Sequence, residues 1–160
     1  MIKKLVILAG GRGTRFLEET NLIPKPMINI GNYPIILHIM KYYNFYGIKE
    51  FIICGGYKVE HIKNFFVNLK YFINDLEIDY SNESINFLTK NIFDWNVKII
   101  DTGLKTMTGG RLKKTKKYLE QDENFYLTYG DGLSNIDINK LKRFYIKSKK
   151  IATMSIVSPP

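Results

Sequence analysis

A glycine-rich segment that also carries two arginines is the first place in this chain where residue types and spacing could support chemistry. Gly10, Gly11 and Gly13 fall close together, and Arg12 and Arg15 accompany them. Glycines leave the backbone unshielded, so their N–H groups can approach an anion closely. Arginine adds fixed positive charge and forked donors that suit phosphate oxygens. The segment therefore predicts a binding site for a phosphorylated ligand.

A lysine held between two prolines follows this segment. Lys25 lies between Pro24 and Pro26, and the proline rings restrict the backbone on both sides of it, which limits where the ammonium group can go. The lysine and the glycine-rich segment together indicate a nucleoside triphosphate site. It is neither of the two commonest phosphate motifs. No lysine directly follows the glycines as in a P-loop, and Phe16 stands where the dinucleotide fingerprint has its third glycine.

Two later segments add a hydroxyl, a guanidinium and a carboxylate. Thr106 and Arg111 lie in a glycine-containing segment that leads into a helix expected over 111–119, and they could hold a triphosphate or a base edge from the opposite side of a cleft. Asp131 follows Gly130 just after an apolar run, where open α/β sheets place their sites, and it has room for a hydrated Mg²⁺ beside it. These residues predict a second loop and a metal ligand for the same site.

The strands and helices that must position these residues are predicted to form an α/β fold. Short apolar runs bounded by turn residues predict buried parallel strands, and apolar residues at helical spacing predict the helices between them. Alternation over 76–80 and a second run over 85–88 predict a hairpin or an excursion from the sheet. The other predicted strands cover 5–8, 27–30, 51–54, 97–100, 125–128 and 151–157. The predicted helices run from Pro34 to a capping Gly47, over 59–69, over 111–119 and from the N-cap Asp137 onward.

Length, composition and cysteine content restrict the class of protein. A chain of 160 residues with 45% apolar content suits one globular domain with a sizeable core. A single cysteine, Cys54, excludes an internal disulfide and favours a reducing compartment. The apolar run before Gly10 lacks a cleavage-site pattern, and no segment reaches membrane-spanning length without charge. We therefore expect neither a signal peptide nor a membrane span, and we predict a cytoplasmic location.

The net charge of +9 invites a nucleic-acid interpretation. Against that interpretation, the lysines are spread along predicted helices and the sequence carries no RNA- or DNA-binding motif. A small polyanionic substrate accounts for part of the charge, and a composition rich in Lys, Ile, Asn and Tyr accounts for more. We therefore expect neither a nucleic acid nor a membrane as a partner.

The order of these motifs resembles the sugar-nucleotidyltransferase (nucleotide-sugar pyrophosphorylase) family. That family's signature is a strand, then Gly-Gly-x-Gly-Thr-Arg, then Pro-Lys-Pro. Later segments resemble its cytidylyltransferase branch, above all Met-Thr-Gly-Gly-Arg-Leu at 107–112. The resemblance covers essentially the whole chain and implies a Rossmann-like three-layer α/β nucleotidyltransferase fold, glycosyltransferase-A-like, with a mainly parallel mixed sheet. The segments that carry the resemblance are 8–15, 18–20, 24–27, 51–57, 95–97, 101–103, 107–112 and 129–132.

The resemblance also implies an activity and a set of site residues. The activity is transfer of a cytidylyl group from CTP to α-D-glucose 1-phosphate, which gives CDP-glucose and pyrophosphate for deoxysugar and O-antigen polysaccharide synthesis. Arg15 would contact the departing phosphates, Lys25 would bridge the α-phosphate and the attacking phosphate, and Asp131 would carry Mg²⁺. The residues implied to bind the nucleotide are Leu8, Ala9, Gly10, Gly11, Arg12, Gly13, Thr14, Arg15, Lys25, Thr106, Arg111 and Gly130.

Family members continue appreciably beyond the last residue of this sequence. The resemblance implies that a second metal-binding carboxylate, part of the sugar pocket and part of the subunit contacts of a homo-oligomer lie in that further portion. Residues 1–160 are therefore expected to be the N-terminal part of a catalytic domain, or a truncated relative, that binds CTP but catalyses poorly. Two alternatives stay open, which are the same chemistry with UTP or dTTP and a non-catalytic nucleotide-binding module.

Overall fold

The structure, a computed structural model, describes residues 2–12, 23–120 and 124–156. The strands in these ranges are β1 (Lys4–Ala9), β2 (Asn29–Ile30), β3 (Tyr33–Pro34), β4 (Glu50–Gly55), β5 (Leu76–Asp79), β6 (Ser84–Phe87), β7 (Asn96–Asp101) and β8 (Tyr126–Tyr129). The α-helices are α1 (Ile35–Phe45), α2 (Val59–Val67), α3 (Leu69–Ile73), α4 (Thr108–Lys114) and α5 (Ile138–Ser148). Two 3₁₀ turns cover Lys25–Met27 and Lys116–Tyr118. Within these ranges no helix is both long enough and apolar enough to cross a lipid bilayer.

A four-stranded parallel sheet forms the centre of the described chain. Its strand order is β7-β4-β1-β8, and every neighbouring pair is parallel. The predicted α/β class with a parallel sheet is therefore confirmed. After β1 the chain builds outward through β4 to β7 and then crosses back to place β8 on the other side of β1. The strand order thus reverses beside β1, and open α/β sheets bind ligands at the carboxyl ends of the strands at such a point.

Both faces of this sheet are covered, as a parallel sheet requires. Along β1, Leu5, Ile7 and Ala9 belong to one hydrophobic cluster, whereas Val6 and Leu8 belong to the other. The first cluster includes buried side chains of α1, α2 and α5, and the second packs against α4 and the 3₁₀ turn that follows it. The layers are therefore helix, sheet and helix, as the three-layer interpretation requires.

Antiparallel pairing in the described residues is confined to two short hairpins outside the central sheet. β2 pairs with β3, and Gly31 between them has a φ of 62°, a conformation that glycine adopts without strain. β5 pairs with β6 and forms the excursion that the sequence predicts. The central sheet itself is wholly parallel in this part of the chain.

Two helices differ from the predicted bounds. The helix expected over 59–69 is interrupted at Asn68, whose side-chain amide donates to the Asn64 carbonyl oxygen at 2.8 Å and so caps the end of α2. The helix expected over 111–119 begins earlier, as α4, and gives way to a 3₁₀ turn before residue 119.

The strand expected over 151–157 is wrong for its described part, 151–156, which has no strand conformation. Ile151, Met154 and Ile156 are exposed there. No described strand pairs with this segment, so its apolar residues have no sheet surface to pack on. An apolar run forms a strand only where cross-strand partners and a face to bury are at hand.

Asp137 caps helix α5 as the sequence predicts. Its Oδ1 atom accepts a hydrogen bond from the Lys140 backbone N–H at 2.9 Å. Asp137→Ala should lower the free energy of unfolding by about 1 kcal/mol, because an N–H in the first turn of the helix loses its acceptor. Urea denaturation measures the change. Asp137→Asn keeps an acceptor oxygen and should stay within about 0.5 kcal/mol of the wild type.

Cys54 lies in the buried part of β4 and is fully covered. Burial raises the pKa of its thiol, although a hydrogen bond with Thr115 and the charge of Arg111 act in the opposite direction. Because the thiolate is the reactive form, the native protein should react with Ellman's reagent far more slowly than the protein unfolded in urea. Equal rates in the two states would show that the thiol is accessible and contradict this burial.

Candidate nucleotide-binding site

A cavity of about 800 Å³ opens at the carboxyl ends of β1 and β8, the position that the reversal in strand order selects. Its volume falls in the range of small-molecule sites. Its walls are the segment after β1, the 3₁₀ turn that begins at Lys25, the segment between β7 and α4, and the end of β8. The predicted site residues in these walls are Leu8, Ala9, Gly10, Gly11, Arg12, Lys25, Thr106, Arg111 and Asp131.

The glycine-rich segment forms one wall of the cavity. β1 delivers it at Ala9, after which Gly10 is buried whereas Gly11 and Arg12 are exposed at the cavity. Backbone and a guanidinium therefore face the same space, as the sequence predicts. The roles predicted for the next three residues stay predictions, because these residues lie outside the described ranges: Gly13, Thr14 and Arg15.

Lys25 and Asp131 meet at the cavity. The Lys25 Nζ atom lies 3.7 Å from Asp131 Oδ2, and the two side chains are 18% and 44% exposed. A pair with this much solvent contact adds about 1 kcal/mol or less to stability. The pair matters more for the geometry of the site, because it holds an ammonium and a carboxylate where one ligand can contact both. The sequence predicts these two residues for a single site, and the structure brings them together.

Gly130 is not among the residues that line the cavity, although Tyr129 and Asp131 on either side of it are. Its N–H donates to the Leu8 carbonyl oxygen at 2.9 Å. A Cβ at this position would lie 3.1 Å from Pro26 Cγ and 3.3 Å from Ala9 Cβ. The absence of a side chain therefore lets the turn that carries Asp131 pack closely against β1 and Pro26. The nucleotide contact implied for Gly130 stays a prediction.

Asp131 is the carboxylate among the residues that line the cavity. Mg²⁺ prefers oxygen ligands and commonly takes one or two carboxylates together with substrate phosphates and water. An exposed carboxylate in the same cavity as a glycine-rich wall fits that donor set. Within the described residues, no group of three or more His, Cys, Asp or Glu side chains lies together, so Asp131 is the one carboxylate that this part of the chain brings to the cavity.

The segment between β7 and α4 forms the opposite wall. The Thr106 hydroxyl donates to the Thr102 carbonyl oxygen at 2.5 Å and accepts from Lys114 Nζ at 3.2 Å. These bonds fix the shape of the segment. Leu104 and Met107 expose apolar side chains at the cavity, a surface suited to the flat face of a ligand ring.

Arg111 is the most buried charged residue of the cavity wall, with 6% of its surface exposed. Burial lowers the pKa of its guanidinium, which stays protonated at neutral pH nonetheless. It donates hydrogen bonds to oxygens of three separate segments. The acceptors are the carbonyl oxygens of Gly10 at 2.8 Å, Gly55 at 2.9 Å and Gly103 at 3.0 Å, and the hydroxyl of Thr102 at 2.5 Å.

Two glycines make room for this guanidinium. A Cβ on Gly10 would lie 2.0 Å from Arg111 Nη1, and a Cβ on Gly56 would lie 2.2 Å from the same atom. A Cβ on Gly55 would lie 2.2 Å from Val59 Cγ2. Gly55 ends β4, and Gly56 follows it. The structure explains both glycines by packing against neighbouring side chains.

Sequence reasoning missed several residues of the cavity wall. Tyr129 is the clearest case, because it ends β8 directly before the predicted Gly130 and Asp131. Its place at the carboxyl end of a predicted strand was a usable signal. Pro26, Met107 and Thr108 belong to the Pro-Lys-Pro and Met-Thr-Gly-Gly-Arg-Leu motifs, which were also a usable signal. Leu104 and Lys105 carry no motif, and only the folded position of their segment reveals them. The missed lining residues are Pro26, Leu104, Lys105, Met107, Thr108 and Tyr129.

Comparison with known sequences agrees with this geometry. The family model described as nucleotidyl transferase matches residues 4–159. A glucose-1-phosphate cytidylyltransferase from Salmonella typhimurium is 46% identical over 157 residues, which cover 98% of this chain and 61% of the relative. A probable glucose-1-phosphate cytidylyltransferase from Bacillus subtilis is 43% identical over 152 residues, which cover 95% of this chain and 59% of the relative. The chain thus spans about three fifths of the length of these curated relatives.

Solved structures show the same fold. A UDP-glucose pyrophosphorylase complexed with UDP-glucose superposes with a TM-score of 0.67 at 21% identity, covering 93% of this chain and 55% of that chain. HddC from Yersinia pseudotuberculosis, complexed with GMP-PN, superposes with a TM-score of 0.65 at 26% identity, covering 91% and 55%. Since the family model matches nearly the whole sequence and the described residues carry the corresponding fold, the chain belongs to the nucleotidyl transferase family.

Proposed function

We propose that this chain provides the nucleotide site of a glucose-1-phosphate cytidylyltransferase, which transfers a cytidylyl group from CTP to α-D-glucose 1-phosphate. The observation that carries the proposal is the cavity beside β1, where an unshielded glycine backbone, Lys25 and Asp131 face one space. The names of the relatives at 46% and 43% identity support CTP and glucose 1-phosphate as the substrates.

The proposed reaction needs positioning and charge neutralisation more than covalent chemistry. An oxygen of the sugar phosphate forms a bond to the α-phosphorus of CTP. The bond from that phosphorus to the oxygen bridging to the β-phosphate breaks, and pyrophosphate leaves. Displacement of this kind is accelerated by holding the two phosphates in line and by neutralising the charge that builds on their oxygens. No group of the protein has to bond to the nucleotide.

Lys25 would supply the central charge in this scheme. Its ammonium would lie between the α-phosphate and the attacking phosphate, where it reduces the repulsion between two anions as they approach. The backbone of Gly10 and Gly11 would face the phosphates from the β1 side, and Arg12 would add charge at the cavity mouth. Thr106 and its apolar neighbours on the opposite wall would contact the nucleoside.

Asp131 would hold Mg²⁺ in this site together with phosphate oxygens and water. When bound, the cation neutralises phosphate charge. The chain's own contribution is to fix the Asp131 carboxylate at the carboxyl end of β8, within 3.7 Å of the Lys25 ammonium. The two side chains would then act on neighbouring oxygens of the same ligand.

Calorimetric titration with CTP, UTP, dTTP and GTP in the presence of Mg²⁺ tests the choice of nucleotide. We expect CTP to bind at least about tenfold more tightly than the other three, a difference of about 1.4 kcal/mol. Preference for UTP or dTTP would reassign the nucleotide within the same chemistry. Absence of binding by all four would contradict the proposed site.

Pyrophosphate release from CTP and glucose 1-phosphate tests the transfer step. A single carboxylate lines the described cavity, so we propose that nucleotide binding is readily measured whereas turnover is slow. Robust turnover would contradict the slow-turnover expectation and support the transferase. Tight CTP binding with no pyrophosphate release would favour the non-catalytic nucleotide-binding module.

A further inference from the structure

We propose that Arg111 is a positioning residue whose guanidinium fastens the glycine-rich segment to the ends of β4 and β7. In this role it sets the direction of the backbone N–H groups that meet the phosphates. The inference rests on the function proposed above, which supplies the phosphorylated ligand. It differs from the nucleotide contact that the family resemblance implies for Arg111, because the positioning acts before any nucleotide binds.

The acceptors of Arg111 belong to segments that are far apart in the sequence. Nη2 donates to the Gly10 carbonyl oxygen just after β1. Nη1 donates to the carbonyl oxygens of Gly55, at the end of β4, and Gly103, just after β7. One planar group therefore joins the carboxyl ends of three adjacent strands. None of these acceptors is a carboxylate, so the contacts hold backbone in place.

The bond to Gly10 fixes more than one carbonyl group. A peptide group is planar and trans, so the Gly10 C=O and the Gly11 N–H lie in one plane and point in opposite directions. The Gly10 carbonyl is held by Arg111 at 2.8 Å and by the Tyr57 N–H at 3.3 Å. The Gly11 N–H is therefore turned to the other side of this peptide. Gly11 is exposed and lines the cavity. The direction of its N–H is therefore fixed in the part of the wall where we expect the phosphates to bind.

The guanidinium has little room to adopt another arrangement. It lies where Cβ atoms would be if Gly10 or Gly56 carried side chains. Gly56 is not among the residues that line the cavity. A substitution at Gly56 therefore reaches the nucleotide site by displacing Arg111, without adding an atom to the cavity wall.

Positive charge alone does not reproduce these contacts. A lysine at position 111 keeps the charge, but its one nitrogen cannot take the two positions of Nη2, which holds the Gly10 carbonyl oxygen, and Nη1, which holds the Gly103 carbonyl oxygen. The affinity of Arg111→Lys for the nucleotide therefore distinguishes two roles of Arg111, which are holding the backbone in place and attracting the phosphates by charge. If bracing matters, the lysine variant loses affinity for the nucleotide. If charge attraction matters, it keeps most of that affinity.

The binding test compares Arg111→Lys, Gly56→Ala, Arg111→Ala and the double variant Gly56→Ala/Arg111→Ala with the wild type. Circular dichroism sets a temperature at which all are folded, and calorimetry with CTP and Mg²⁺ gives the dissociation constants. We expect Arg111→Lys and Gly56→Ala each to weaken CTP binding about tenfold. In the Arg111→Ala background, Gly56→Ala should add less than about twofold, because the atoms that its Cβ would displace are gone.

Gly109→Ala is the matched control for Gly56→Ala. A Cβ at Gly109 has no heavy atom within 4 Å, so this variant should bind CTP with wild-type affinity. If Arg111→Lys keeps CTP affinity within about twofold of the wild type, or if Gly56→Ala behaves as Gly109→Ala does, the positioning role is overturned.

Amide hydrogen exchange without nucleotide gives a second, independent result. We expect the Tyr57 amide, which donates to the same Gly10 carbonyl oxygen, to exchange faster in Arg111→Lys than in the wild type, whereas the β5–β6 hairpin exchanges at its wild-type rate. Unchanged exchange at Tyr57 would overturn the positioning role, because a residue that only contacts the ligand leaves the ligand-free backbone as it was. Failure of the wild type to bind CTP would instead refute the proposed function, and the exchange result would still decide the role of Arg111.

Discussion

Lys25→Gln should weaken CTP binding by about ten- to hundredfold, the loss expected when a charged hydrogen bond to a phosphate is removed from a sheltered site. The Lys25 side chain is only 18% exposed, and Pro26 next to it is buried, so water replaces the ammonium poorly. Glutamine keeps a donor at similar reach, so the loss reports the positive charge. Calorimetric titration with CTP and Mg²⁺ measures it.

Lys63→Gln is the matched control for this variant. Lys63 is exposed in α2 and does not line the cavity, so the same change of charge there should leave CTP affinity at its wild-type value. Equal affinities of Lys25→Gln and Lys63→Gln would mean that the Lys25 ammonium does not contact the phosphates. The proposed site would then be wrong in its central residue.

Gly10→Ala should lower the free energy of unfolding by about 2–3 kcal/mol and weaken CTP binding with it. The new Cβ would lie 2.0 Å from Nη1, 2.2 Å from Cζ and 2.7 Å from Nε of Arg111. Either the guanidinium leaves its carbonyl acceptors or the segment after β1 shifts. Both outcomes break the hydrogen bond between Arg111 and Gly10 and leave buried polar groups with poorer partners.

Gly11→Ala is the control for the stability measurement. A Cβ at Gly11 has no heavy atom within 4 Å, so the free energy of unfolding should change by less than about 0.5 kcal/mol. Urea denaturation of both variants gives the comparison. If Gly10→Ala is as stable as Gly11→Ala, Arg111 does not pack against Gly10 in the folded protein. The proposal that Arg111 holds the segment after β1 in place would then be wrong.

The central sheet could be predicted from the sequence because its signal is local. Four apolar runs bounded by turn residues, such as 5–8 and 51–54, became the four parallel strands. The segment 151–156 also carries apolar residues at most of its positions, but it has no strand conformation. Local pattern does not show whether a partner strand is present, and that is what decides this case.

The walls of the site could be predicted in part for the same reason. Lys25 lies between two prolines and Asp131 between two glycines, and these neighbours marked both residues in the sequence. Both were expected near the carboxyl ends of the strands, where open α/β sheets place their sites. Arg111 could be selected as a site residue, but its partners could not be found from the sequence. They are carbonyl oxygens of Gly10, Gly55 and Gly103, and nothing in the identity of these residues indicates that they meet.

The most direct test of the nucleotide site is a crystal structure of this protein with CTP and Mg²⁺. We expect the triphosphate between the Gly10–Gly11 backbone and the Lys25 ammonium, with Asp131 coordinating the cation and Arg111 still bonded to the Gly10 carbonyl oxygen. CTP bound away from the carboxyl ends of β1 and β8, or bound there with its phosphates out of reach of Lys25, would contradict the site.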